Sequence, residues 1–157
     1  MTPAITALKR AKLPFDILEY QHDPDAPSYG EEAAEALGLE PAQVFKTLLV
    51  ALTGHKSSLA VAVVPVTHQL NLKAIARAVG AKKAAMADTA VAEKTTGYIV
   101  GGISPIGQKK ALPTVIDASA ETLANMHVSA GRRGLEVALT PANLASITRA
   151  RFFDIRD

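Results

Sequence analysis

Two features of the chain bear on chemistry: a lysine inside an apolar run and a stiff glycine-proline loop. The run is Val44-Phe45-Lys46-Thr47-Leu48-Leu49-Val50, and the loop is Gly101-Gly102-Ile103-Ser104-Pro105-Ile106-Gly107. Glycine lets a ligand approach the main chain closely, and proline locks the far side of the loop. The same composition also suits a tight turn between strands. A lysine at the start of a buried strand either snorkels to water, pairs with an acid, or serves a site. In a pocket, Lys46 would hold a phosphate or a ribose hydroxyl as a compact point charge, or act as a base if poorly solvated.

A second group of residues suits recognition of a polar ligand. Tyr20 and Tyr29 flank a polar loop, where aromatics either stack on a base or cover the core. Thr47 adjoins Lys46 and points to the opposite face of the same strand. Ser129-Ala130-Gly131-Arg132-Arg133-Gly134, with Glu136 just beyond, is a second glycine-punctuated loop. It reads equally as a ligand loop or a plain hairpin turn. The four histidines are scattered without metal-ligand spacing, and there is no cysteine, so neither a metal site nor a thiol nucleophile is expected. The glycine loop fits neither nucleotide-binding fingerprint, and no G-x-S-x-G elbow is present.

Several elements must position these residues. The chain has 157 residues, 48% hydrophobic, with a formal charge of +2, which fits one domain with a sizeable core. Basic residues are bunched, as in Lys9-Arg10-Lys12, Lys82-Lys83 and Lys109-Lys110, either as solvated faces or as a phosphate footprint. No stretch is apolar enough to span a membrane, and the N-terminus lacks a signal peptide. A soluble, cytoplasmic protein is therefore expected. Thr2-Pro3 opens a helix to about Lys12. A strand follows over Phe15–Tyr20, then a surface loop over residues 21–30 and a helix over Glu31–Leu37. Phe45–Leu52 and Leu59–Pro65 read as a hairpin. Asn71 and Asp88 cap helices that run to about Val79 and Thr95. Strands are expected near Gly97–Val100, Thr114–Ala118, Met126–Ser129 and Gly134–Ala138. Thr140-Pro141 opens a last helix, and a final strand covers Arg151–Phe153. The irregular order favours an α+β domain around a mixed sheet over a doubly wound one.

Taken together, Val44-Phe45-Lys46-Thr47-Leu48, Thr96-Gly97-Tyr98, the glycine-proline loop and Ser129-Ala130-Gly131-Arg132-Arg133-Gly134-Leu135 closely resemble the YbaK/EbsC family. The resemblance spans essentially the whole chain, residues 1–157. It implies a single α+β domain with a mixed, curled, barrel-like sheet and peripheral helices. It also implies an aminoacyl-tRNA deacylase acting on mischarged Cys-tRNA(Pro), and on Cys-tRNA(Cys), without a cofactor or metal. The family's essential lysine falls on Lys46, and its active-site loop on Gly101, Gly102, Ile103, Ser104 and Pro105. Its substrate-binding residues fall on Tyr20, Tyr29, Thr47, Ser129 and Glu136. Tyr29 stands in place of the usual phenylalanine, and Glu136 in place of an aspartate. The implied substrate is the aminoacyl 3′ end of tRNA, and the implied partner is prolyl-tRNA synthetase. In the implied mechanism the substrate's own thiol attacks the ester. Three alternatives remain at this level: a deacylase for alanyl or another small aminoacyl ester using water, a non-catalytic tRNA or synthetase adaptor, and a nucleotide-binding regulator.

Overall fold

The computed structural model describes residues 1–26 and 28–157; Pro27, inside the loop expected over residues 21–30, lies outside them. The helices are α1 (Pro3–Ala11), α2 (Tyr29–Leu37), α3 (Leu72–Val79), α4 (Thr89–Thr96) and α5 (Pro141–Thr148). The strands are β1 (Asp16–Glu19), β2 (Phe45–Thr53), β3 (Leu59–Pro65), β4 (Lys83–Met86), β5 (Thr114–Asp117), β6 (Met126–Arg132), β7 (Leu135–Leu139) and β8 (Arg151–Phe153). Three of the expected caps act through their side chains, whereas Asp88 stands at the start of α4 without a side-chain cap bond. Thr2, Asn71 and Thr140 each accept a hydrogen bond from a first-turn backbone N–H. Among the described residues, no helix is long and apolar enough to cross a membrane.

The strands form two open sheets. One is antiparallel, in the order β1-β7-β6; the other is mixed, in the order β4-β2-β3-β5-β8. The curled, barrel-like sheet expected from the resemblance is therefore not found. Outside the named strands, the sheets are joined by a bridge from Val44 to His127. Beyond that bridge β2 takes its partners from β3 and β4, so closure stops there.

β3 is the centre of the molecule, and all seven of its residues are buried. Alternation sends Val61 and Val63 into one core cluster and Ala60, Ala62 and Val64 into another. The first cluster joins the two sheets through Phe45, Leu49, Ile116, Val128 and Val137, with Leu8 of α1 and Leu144 of α5. The second packs α3, through Ala74, Ile75 and Ala78, on the outer face of the mixed sheet.

Residues 97–100 form a turn, not the expected strand. Tyr98 is buried, and its hydroxyl donates to the Ile106 carbonyl at 2.7 Å, folding the segment back on itself. Burial pushes that hydroxyl up to about 12. The bond clasps both ends of the glycine-proline loop. At the loop's far end Gly107 has φ +68, and an added Cβ would lie 2.7 Å from the Pro3 carbonyl oxygen. Tyr98→Phe should lower stability by about 1–3 kcal/mol, the cost of an unsatisfied buried acceptor. Urea unfolding checks this; an unchanged midpoint would mean that Tyr98 does not secure the loop.

Candidate active site

A cavity of about 420 Å³ opens where the two sheets part. Its walls come from six stretches far apart in sequence: Tyr20, the start of α2 from Ser28, β2 over Phe45–Leu49, the segment Met86–Ala92, Val100–Ile103, and the β6–β7 hairpin at Ser129 and Glu136.

The alternation of β2 explains why Lys46 and Thr47 both reach this space. Phe45 and Leu49 belong to the inter-sheet cluster, while Leu48 and Val50 belong to the α3 side. Neighbours such as Lys46 and Thr47 thus point to opposite faces. Both line the cavity because it sits on the strand's edge, where the two faces meet.

That edge is unpaired for a definite reason. Val66 N–H bonds the Val44 carbonyl and Leu52 N–H bonds the Ser58 carbonyl, so even-numbered residues of β2 face β3. Odd-numbered residues face the other way: Ala87 N–H bonds the Leu49 carbonyl, and Lys82 N–H bonds the Thr53 carbonyl. β4 covers only Val50–Thr53. The main-chain groups of Thr47 therefore point to the open edge. Its side-chain hydroxyl is buried without a partner among the described residues. Lys46 is half-buried, and no carboxylate lies within ion-pair distance of it among the described residues.

Glu136 and Ser129 are cross-strand partners on β7 and β6, so they share one face, away from Val128 and Val137. Glu136 is only 6% exposed, and burial pushes its carboxyl up to about 8 from an ordinary 4.5. At neutral pH it is mostly a protonated acid and can donate a hydrogen bond. Burial, and then the Glu136 charge, also raise the Tyr20 hydroxyl. Ser129 Oγ accepts the Gly131 N–H at 3.3 Å; His127, two residues earlier on the same face of β6, makes no hydrogen bond to it among the described residues. Among the described residues no histidine lines the cavity, so none of its hydroxyls is paired with a histidine base.

Of the five loop residues singled out from sequence, Gly101 and Ile103 line the cavity. Gly102, Ser104 and Pro105 lie behind it and shape the loop. A Cβ on Gly102 would lie 2.7 Å from the Arg132 Cα, so only glycine lets the loop dock on the β6–β7 hairpin. Ser104 is fully buried, and its hydroxyl accepts the Ile106 N–H at 3.2 Å. Gly102 N–H is taken by the Ile99 carbonyl. Among the described residues, the N–H groups of Gly101 and Ile103 have no acceptor.

Tyr20, Tyr29, Thr47, Ser129 and Glu136 all line the cavity. Sequence reasoning missed Met86, Ala87, Thr89 and Ala92. The one available signal was the Asp88 cap, which places a helix start, and hence a chain reversal, beside them.

A family model described as an aminoacyl-tRNA editing domain matches residues 23–147. A protein from Enterococcus faecalis (strain ATCC 700802 / V583), named as a candidate Cys-tRNA(Pro)/Cys-tRNA(Cys) deacylase EbsC, is 40% identical over 154 residues, which is 98% of this chain and 92% of that one. Among solved structures, a candidate trans-editing enzyme for prolyl-tRNA synthetase superposes with a TM-score of 0.82 at 23% identity, covering 99% of this chain and 95% of that one. A scaffold protein used for computational epitope grafting superposes with a TM-score of 0.84 at 24% identity, over 99% and 95% of the two chains. At these identities the structural matches speak for the fold.

The buried acid gives a signed pH dependence. Folding favours the protonated form of Glu136, so its contribution is full below about pH 4.5 and is lost as pH rises towards about 8. Glu136→Gln removes that dependence. Relative to wild type, the variant should gain about 3–5 kcal/mol of stability between pH 4.5 and pH 9, at ~1.4 kcal/mol per pH unit. Urea unfolding across that range measures it; parallel curves would show that Glu136 is ionised at neutral pH.

Proposed function

The chain belongs to the aminoacyl-tRNA editing domain family and by that membership is an aminoacyl-tRNA deacylase; we propose that it removes cysteine from mischarged Cys-tRNA(Pro), and from Cys-tRNA(Cys), acting in trans. One observation carries the reading. Among the described residues, the cavity offers a cation and free main-chain donors but no hydroxyl paired with a histidine base. Such a site positions an ester and stabilises charge, and leaves the attacking group to the substrate or to water.

Cysteine supplies its own attacking group. Its thiol sulfur bonds to the ester carbonyl carbon, and the bond from that carbon to the ribose oxygen breaks. The thiol proton passes to the departing ribose oxygen. The products are a cyclic thiolactone and tRNA with a free hydroxyl. Intramolecular attack in the right geometry carries effective molarities on the order of 10⁵–10⁸ M. The N–H groups of Gly101 and Ile103 are suited to the carbonyl oxygen as it gains charge, and each such donor is worth about 2.7–4 kcal/mol of barrier. Lys46 holds the terminal nucleotide through its phosphate or ribose.

This chemistry separates substrates that a steric pocket cannot. A pocket discriminates a missing methylene by only about 1–3 kcal/mol. An alanyl ester fits the same space but has no thiol. The small net charge of +2 implies few phosphate contacts and little reading of tRNA sequence. Prolyl-tRNA synthetase, as partner, would supply tRNA identity through high effective concentration.

Lys46→Ala should lower the rate on Cys-tRNA(Pro) by about a hundredfold or more while leaving the unfolding midpoint unchanged. Turnover near wild type would remove Lys46 from the mechanism. Product analysis should find the thiolactone before free cysteine, with Ala-tRNA(Pro) and Pro-tRNA(Pro) left intact. Loss of alanine instead would assign a water-based mechanism.

A further inference from the structure

The first residues of the glycine-proline loop form a turn with a choice of two states. Gly102 N–H bonds the Ile99 carbonyl at 2.9 Å, and Gly101 has φ +90. This is the signature of a type II turn with glycine at its third position. Its central peptide joins the Val100 carbonyl to the Gly101 N–H. In a trans peptide these two groups point in opposite directions. A type I turn closes the same hydrogen bond with that peptide rotated by roughly half a turn. With glycine at the pivot, little intrinsic energy separates the two states.

Arg133 bears directly on that choice. Its Nε donates to the Val100 carbonyl at 2.9 Å. Its guanidinium lies 4.9 Å above the centre of the Tyr29 ring, which fixes the plane of the donor. A Cβ on Gly101 would lie 2.7 Å from Tyr29 and 2.9 Å from Arg133 Nε, so the turn packs flush against both. Arg133 stands outside the cavity wall, whereas Val100 and Gly101 form part of it. A cation gripping the carbonyl from behind therefore points the Gly101 N–H away from itself.

We propose that Arg133 is a positioning residue for deacylation: by holding the Val100 carbonyl, it locks the turn in its type II state and keeps the Gly101 N–H aimed at the ester. The charge has a second effect. A hydrogen bond to a cation polarises the peptide, making the N–H at its other end a stronger donor. Arg133 thus acts on the reaction through one peptide group without touching substrate. The inference rests on the deacylase reading above and deepens it.

Steady-state deacylation of Cys-tRNA(Pro) by Arg133→Met and Arg133→Lys tests it, with Arg132→Met as control because Arg132 is exposed on the same hairpin. Both Arg133 variants should lose about ten- to a hundredfold in kcat, short of the 10²–10³ for deleting a donor, with KM within about twofold. Free guanidinium at millimolar concentration should restore part of the kcat of Arg133→Met. A raised KM with a flatter salt dependence and unchanged kcat would make Arg133 a phosphate contact and overturn the proposal. A kcat unchanged in every respect would also overturn it. A second measurement needs no turnover. In ¹⁵N-labelled protein without tRNA, the Gly101 amide resonance should move in Arg133→Met and return towards its original position with guanidinium. A resonance that stays put refutes the lock, whereas wild-type protein releasing no cysteine refutes the deacylase reading instead.

Discussion

The site depends on the unequal pairing of β2. One edge of this strand is bonded to β3 along Phe45–Ala51, while the other is bonded to β4 only over Val50–Thr53. The first half of the second edge is left without a strand. Exposed main-chain donors and acceptors of this kind are costly when buried and sticky when free. Here they are walled in by α2, by the glycine loop and by β6 and β7. A cavity with a polar seam follows directly, and residues from both faces of the strand enter it.

The polar groups around that seam are few and mostly held in place. Glu136 is held neutral by burial, Lys46 has no counter-ion among the described residues, and the Thr47 hydroxyl lacks a partner. Such groups are expensive to leave unsatisfied, so a ligand that meets them is favoured over one of similar size that does not. The donors are fixed before substrate arrives. Tyr98 clasps the loop from within, and Arg133 holds it from outside. Electrostatic stabilisation is most effective when the dipoles need no rearrangement at the moment of reaction.

Much of the fold was legible from local signals. The caps at Thr2, Asn71 and Thr140, and the apolar runs of β2 and β3, each mark an element that the structure contains. β4 was missed because Lys83-Ala84-Ala85-Met86 is short, largely exposed and without alternation. The Tyr98-Ile99-Val100 run reads as a strand, but a tertiary hydrogen bond from Tyr98 decides its conformation. Sheet closure is a matter of long-range register, which no local pattern reports. At the site, residue types singled out Lys46 and the loop. Which loop residues face the ligand depends on the backbone of Arg132 behind Gly102, which no sequence spacing shows. Glu136 alternates with Leu135 and Val137 as a solvent-facing residue would, yet the cavity wall covers it.

The cavity draws on stretches from Tyr20 to Glu136, which meet through pairings distant in sequence, among them the antiparallel contact of β1 with β7 and the bridge from Val44 to His127. Contacts of that kind form late, because their loop-closure entropy must be met before they stabilise anything. A chain emerging from synthesis, or one partly unravelled, therefore holds pieces of the site but no site. On the mechanism proposed above, an ester-cleaving activity that relies on positioned donors in place of a reactive side chain is silent until the last long-range pairing closes. Reactivity and completeness of folding become the same event.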